Sequence, residues 1–162
     1  TGLRQRHLTY YYPTRLDLLT AVTRAAIERR RVAAQAAAAG INSIDEAVSQ
    51  IAVFTAQHEN TRVLLALMQA VDQHPTLRAL YDEMTNDMLA TIQSVFVKLG
   101  LAQTRANIDL LHTLVVGLSV VDLATGRSGG QDRARAALAT AFQMLTAQQN
   151  PMAENGSPGT SG

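Results

Sequence analysis

The chain has 162 residues, of which 47% are apolar and 17% charged; this fits one globular domain and excludes a disordered or fibrous chain. It has no cysteine, which excludes a disulfide framework, a thiol nucleophile and Cys-ligated zinc or iron–sulfur sites. The formal charge of +1 conceals an asymmetry: residues 1–31 carry seven arginines against Asp17 and Glu28, a net +5, and the remainder carries −4. A basic end on a mildly acidic body points to a polyanion partner, or equally to a solvated arginine-rich helix face.

Helical signals dominate, and strand signals such as sustained alternation are absent, so the fold class is all-α. Residues 3–11 read as a short helix with Leu3 and Leu8 inward, broken at Pro13. Thr14, followed three residues later by Asp17, is an N-cap with an acidic first turn. From it a long helix, with Leu16, Leu19, Val22 and Ala26 inward, runs through the alanine-rich 33–39 stretch to Gly40, a C′ residue with Ile41 as its hydrophobic C″. Ser43 to Glu46 is a capping-box pattern that opens a helix with Val48, Ile51 and Phe54 on its apolar side. The next helix spans Asn60 to Gln73, with Val63, Leu64, Leu67, Met68 and Val71 inward. Pro75 suits the first turn of a helix to Leu99. Its stripe is Leu77, Leu80/Tyr81, Met84, Met88, Ile92, Val95/Phe96 and Leu99. Gly100-Leu101 repeats the Gly-hydrophobic stop. Thr104 starts a helix ending at Gly126, Ser128 to Gly130 form a loop, and residues 131–148 form the last helix, with Ala134, Leu138, Phe142 and Leu145 on one stripe. Residues 150–162, rich in Gly, Ser and Pro, read as a mobile tail.

The helix from Thr104 to Gly126 is apolar around most of its circumference, so it must be buried on nearly all sides. Either it is the central helix of a monomer, or it is shared with a second chain, where it would pair with the last helix as half of an intersubunit four-helix bundle. The interface residues on the second reading are Leu111, Leu114, Val115, Leu118, Val121, Leu138 and Phe142. No uninterrupted apolar run approaches the ~18–20 residues of a bilayer span. The most apolar stretch, Leu114 to Val121, contains Gly117 and Ser119 and is stopped by Asp122. No signal peptide is visible, so a cytoplasmic protein without a membrane partner is expected.

Catalytic patterns are missing. His7, His58, His74 and His112 are too scattered for metal ligation, and His58-Glu59 reads as a capping or solvent-exposed pair. There is no phosphate loop and no G-x-S-x-G elbow. Asp45-Glu46 and Asp82-Glu83 fall at helix starts or on exposed faces. No catalytic residue, metal or cofactor is expected.

The first 22 residues carry a fixed pattern. Gly2, Leu3, Leu8, Tyr11, Tyr12, Thr14, Arg15, Leu18 and Leu19 fit, identically or by close chemistry, the end of the helix-turn-helix in the tetracycline-repressor family. Arg4, Thr9 and Leu16 depart from it, standing where Ser, Tyr and an acid are usual. The chain therefore resembles that family, specifically over residues 2–22 and by architecture beyond them. The stretch Leu110 to Leu118 also looks like the family's dimerisation helix. The resemblance implies that residues 1–24 are the C-terminal part of a DNA-binding domain, that two helices before Gly2 complete it, and that residues 25–149 form a ligand-binding and dimerisation domain.

The resemblance further implies roles for single residues. Gln5, Arg6 and Thr9 would face base edges in the major groove. His7, Tyr10, Tyr11 and Arg15 would grip phosphates, and Thr14 would bring the amides at the next helix's start near one. Tyr12 matches a buried aromatic, and Arg24 and Arg29 to Arg31 read as a solvated face. A pocket in the middle helices would bind a small effector. Soft or polar residues on apolar stripes are its candidates: Phe54, Met68, Tyr81, Met84, Met88 and His112, each also readable as plain core. With few aromatics and few buried charges, the effector is expected to be uncharged and largely apolar. The implied function is a homodimeric repressor that reads a pseudo-palindromic operator in double-stranded DNA and is released when an effector shifts the separation of its DNA-reading heads. The alternatives are a helical ligand carrier or protein-interaction module without DNA binding and, last, an enzyme on a helical bundle.

Overall fold

The computed structural model describes residues 12–126 and 128–149. Among them there are six α-helices and no strand: α1 (Arg15–Ala39), α2 (Ile44–Thr55), α3 (His58–Gln73), α4 (Arg78–Lys98), α5 (Arg105–Thr125) and α6 (Gly130–Ala147), with a 3₁₀ turn at Pro75–Leu77 before α4. The all-α reading holds. The short helix read at residues 3–11 and the tail read at 150–162 lie outside the described residues.

Local chemistry sets most helix ends. Thr14 Oγ1 accepts the Asp17 amide at 3.0 Å, and the Asp17 carboxylate accepts the Thr14 amide at 3.0 Å, a reciprocal capping box. Ser43 caps α2 through the Glu46 amide at 3.2 Å, but Glu46 reaches back to the Asn42 amide at 2.7 Å rather than to Ser43. Thr104 caps α5 through the Asn107 amide at 3.2 Å. Gly100 has φ 66°, and the Leu101 amide donates to the Phe96 carbonyl at 2.9 Å, a Schellman stop. The parallel reading of Gly40 is corrected: its φ is −79°, right-handed. The end of α1 is closed instead by Lys98, whose ammonium donates to the Ala38 and Ala39 carbonyls at 3.0 Å each. A long-range cation satisfies the orphan carbonyls, so no left-handed residue is needed there.

Two apolar clusters fill the interior. The larger joins α2, the C-terminal part of α4, α5 and α6 around Phe96, Leu111, Leu138 and Phe142, each with no exposed surface. The smaller joins α1, α3 and the start of α4 around Ile27, Leu67, Leu77 and Met84. The α4 stripe read from spacing runs through both clusters, with Leu80, Met84, Met88, Ile92, Val95 and Phe96 buried. On α1 the phase differs from the expectation. Leu19 and Val22 are 38% and 56% exposed, Leu18 is exposed as well, and the buried residues of this helix are Ile27 and Ala38. The inward stripe is therefore Thr23, Ile27, Arg30, Ala34 and Ala38, a regular i+3/i+4 series, with Leu16 two turns before it.

Helix α5 buries only one side in this chain. Ile108, Leu111, Val115 and Ser119 face inward, while Leu110 is 46% and Val121 58% exposed. Against expectation, this helix taken whole is long and apolar enough to cross a membrane, with a mean hydropathy of 1.6 over its most apolar window. Its buried stripe belongs to the larger cluster, as in a core helix of a folded domain.

Candidate functional site

The two clusters do not close completely on each other. Between α1, α3, α4 and α5 lies a cavity of about 270 Å³, walled by Leu64 and Met84 of the smaller cluster and Met88 of the larger. Five of the six candidate ligand residues line it: Met68, Tyr81, Met84, Met88 and His112. They meet because α4 presents Tyr81, Met84 and Met88 along one stripe while Met68 and His112 face it from α3 and α5. Met68 is 46% exposed, and with Tyr81 it also borders a wider, more open groove beside Leu65, Asp72 and Arg78.

Phe54, the sixth candidate, is not on this wall. It borders a separate apolar cavity of about 50 Å³ bounded by Ile51, Met88 and Val95. That space holds one or two water volumes at ~30 Å³ each and has almost no polar lining, so it is a packing gap rather than a site.

The link between Phe54 and the large cavity is a residue the sequence placed in solvent. Arg30 lines the 270 Å³ cavity and the two small clefts flanking it. Its guanidinium carbon lies 5.4 Å from the centre of the Phe54 ring, a cation–π distance. Its Nε is buried with no hydrogen-bond partner. No ion pair reaches its guanidinium among the described residues, although Glu28 pairs with Arg31 at 2.6 Å and Glu83 approaches Arg24 at 3.9 Å. Burial pushes the Arg30 pKa down, yet a guanidinium remains charged throughout the physiological range. The reading of Arg29 to Arg31 as one solvated face is thus corrected at Arg30, which sits on the inward stripe while Arg29 is exposed.

Across the cavity, burial holds the His112 pKa below its ordinary value of 6.5; Arg30 adds to that effect and Asp109 opposes it. The imidazole is therefore neutral at pH 7. It offers one N–H donor and one acceptor, beside the hydroxyls of Tyr81, Thr85 and Thr113. The cavity can hold an apolar body of modest size, with hydrogen-bond donors and Arg30 among its lining residues. Among the described residues no group of three or more His, Cys, Asp or Glu side chains is positioned to hold a metal ion.

The other site residues fall as follows. Thr14 caps α1, and Arg15 is that helix's first residue. Tyr12 is half-buried. Gln5, Arg6, His7, Thr9, Tyr10 and Tyr11 lie outside the described residues. Of the interface candidates, Leu111, Val115, Leu138 and Phe142 are buried within the chain itself and have no surface left for a second copy. Leu114 and Leu118 are half-buried, and Val121 is exposed. These three share a face of α5 with Leu110 and Gly117, and a Cβ on Gly117 would meet nothing within 4 Å.

One constellation was not legible at all. His58 Nε2 lies 2.8 Å from Asp122 Oδ2, and Arg133 Nη2 donates to Asp122 Oδ1 at 3.0 Å. The Asp122 carboxylate thereby ties the start of α3 and the start of α6 to the end of α5. His58 is partly exposed, as expected, but its ring is held by Asp122 rather than capping a helix. The network is a brace and lies apart from the cavity.

Residues 42–147, more than half of the chain, match the family described as tetracyclin repressor-like, C-terminal domain. No curated protein and no solved structure gives a significant match. The matched segment holds α2 to α6 entire, including all five candidate cavity residues, Met68 on α3, Tyr81, Met84 and Met88 on α4 and His112 on α5. By its helical architecture and this match, the chain belongs to the tetracycline repressor-like family.

Proposed function

We propose that this protein is an effector-responsive DNA-binding regulator of the tetracycline-repressor type, acting as a homodimeric repressor in the cytoplasm. The observation that carries this reading is the course of α1. One unbroken helix joins Thr14, where the segment resembling the recognition helix ends, to Arg30 at the cavity wall. At ~1.5 Å per residue that path is about 24 Å long. A ligand that repacks the cavity displaces a rigid lever that starts at Thr14 and Arg15, next in sequence after the residues proposed to read DNA, Gln5, Arg6, His7, Thr9, Tyr10 and Tyr11. Such a ligand shifts the population towards the spacing it binds better and so weakens operator affinity.

Two surfaces support the reading. The exposed apolar residues Leu18, Leu19 and Val22 on the first turns of α1 suit packing against the remaining helices of a DNA-binding domain. The outer face of α5, with Leu110, Gly117 and Val121 exposed and Leu114 and Leu118 half-buried, suits a second copy. Gly117 at its centre allows close helix approach, and a two-fold interface makes the operator pseudo-palindromic.

Selection from a random double-stranded DNA pool by the full-length protein tests this. It should return a two-fold symmetric sequence with half-sites about one helical turn apart or a multiple of it. Within that sequence, Arg6→Ala should relax preference at one position per half-site, whereas Arg15→Ala should weaken all DNA alike. A pool that shows no enrichment overturns the proposal in favour of a ligand carrier.

A further inference from the structure

The uncharged effector expected from composition leaves one feature of the cavity unmatched. Arg30 is a cation on the inward stripe of α1, with an unpartnered buried Nε and a guanidinium that no carboxylate pairs among the described residues. None of the residues lining the 270 Å³ cavity is acidic, Asp72 bordering only the wider groove beside Met68 and Tyr81. Asp87, which borders the adjoining cleft with Arg30 and Arg31, exerts its attraction on Arg31. The remaining polar groups of the wall, His112, Tyr81, Thr85 and Thr113, can all donate a hydrogen bond. Methionines and aliphatic side chains make up the rest. A buried charge is costly unless it is paired, and Arg is the side chain best suited to bidentate recognition of a carboxylate.

We propose that the cavity binds a small amphipathic monocarboxylate, its carboxylate paired with Arg30 and its apolar body lying among Met68, Met84, Met88 and Val116. This rests on reading the cavity as the effector site. At ~30 Å³ per water-sized group, a volume of about 270 Å³ takes a ligand of about nine or ten non-hydrogen atoms. Octanoate and phenylacetate are acids of that size. A bound carboxylate would contact Arg30 on the helix proposed to transmit the signal, so the ligand's charge would act directly on the lever.

The test uses calorimetry on the full-length protein with two matched pairs: octanoate against octanamide, and phenylacetate against phenylacetamide. In at least one pair the acid should bind ten times more tightly than its amide or better. In Arg30→Met that ratio should collapse to within about twofold while amide binding persists, which shows the variant to be folded. Arg30→Gln, which keeps a donor but removes the charge, should give the same collapse. Equal binding of acid and amide in both pairs, binding of neither member of either pair at millimolar concentration, or a ratio that survives the loss of the guanidinium would overturn the proposal. The readout is independent of DNA. Specific DNA binding without acid preference overturns this inference and leaves the regulator reading intact; acid preference without DNA binding does the reverse.

Discussion

Replacing Arg30 with methionine should make the ligand-free protein more stable. The guanidinium is mostly removed from water, and its Nε has no hydrogen-bond partner. Holding an unpaired ion in such a place costs several kcal/mol, less where water still reaches it. Against this stands the cation–π contact with Phe54 at 5.4 Å, which contributes about 0.5–2 kcal/mol. Methionine keeps an unbranched stem of similar reach on the same helix stripe without a charge. The balance is a gain of about 1–2 kcal/mol. For a chain of this length that corresponds to a melting temperature higher by about 2–8 °C. The assay is urea and thermal unfolding of both proteins at one protein concentration, since association also shifts the transition. A loss of more than ~1 kcal/mol would mean that the guanidinium has a stabilising partner in the empty protein, and the argument for an unmatched charge would fail. A gain identifies Arg30 as a residue kept at a cost in stability, the mark of a functional position.

Three further outcomes follow from particular contacts. Gly130→Ala should destabilise by about 1–2 kcal/mol, because its Cβ would occupy the space of the Asp122 carboxylate and break the bonds to His58 and Arg133; unfolding of Asp122→Asn, Gly130→Ala and the double variant should show strong non-additivity, and simple addition would contradict the shared cause. Val121→Arg and Gly117→Leu should leave helicity and melting of the single chain intact but abolish dimers in sedimentation, whereas persistence of dimers would exclude the exposed α5 stripe as the interface. His112 has a folded-state pKa below the ordinary 6.5 through burial and then Arg30, so the unfolded chain binds the extra proton first. Its contribution is therefore complete above about pH 6.5 and is lost as pH falls below that, down to the folded value; Arg30→Met should shrink this pH slope, and an unchanged slope would show that the two groups do not interact.

The legible parts of this fold are those fixed by neighbours in sequence. Thr14, Ser43 and Thr104 cap helices through amides three residues on, and the α4 stripe follows from spacing alone. Met68, Tyr81, Met84, Met88 and His112 stood out because soft or polar side chains interrupt apolar stripes, and the fold brings these five to one cavity. Arg30 was hidden by its flanks, since three consecutive arginines read as a solvated face. The signal that separates it is helical phase, three residues after Ile27 and four before Ala34. The same ambiguity misplaced the α5 face, because a helix apolar all round has no phase to read; Leu111 and Val115 went to the core and Leu110 and Val121 outward. The ties from Lys98 to the end of α1 and from Asp122 to His58 join residues more than fifty positions apart, and nothing local announces them.

On the proposed function, the helical body serves a DNA-reading head. That function is tested by titrating the full-length protein into labelled DNA from its own upstream intergenic region and into a scrambled copy, at low and at physiological salt. Dimers should bind the native fragment tightly, with a preference that survives the higher salt. Weak and equal binding of both fragments that vanishes as salt rises would leave only the charge of the basic terminus, and would contradict the proposed function.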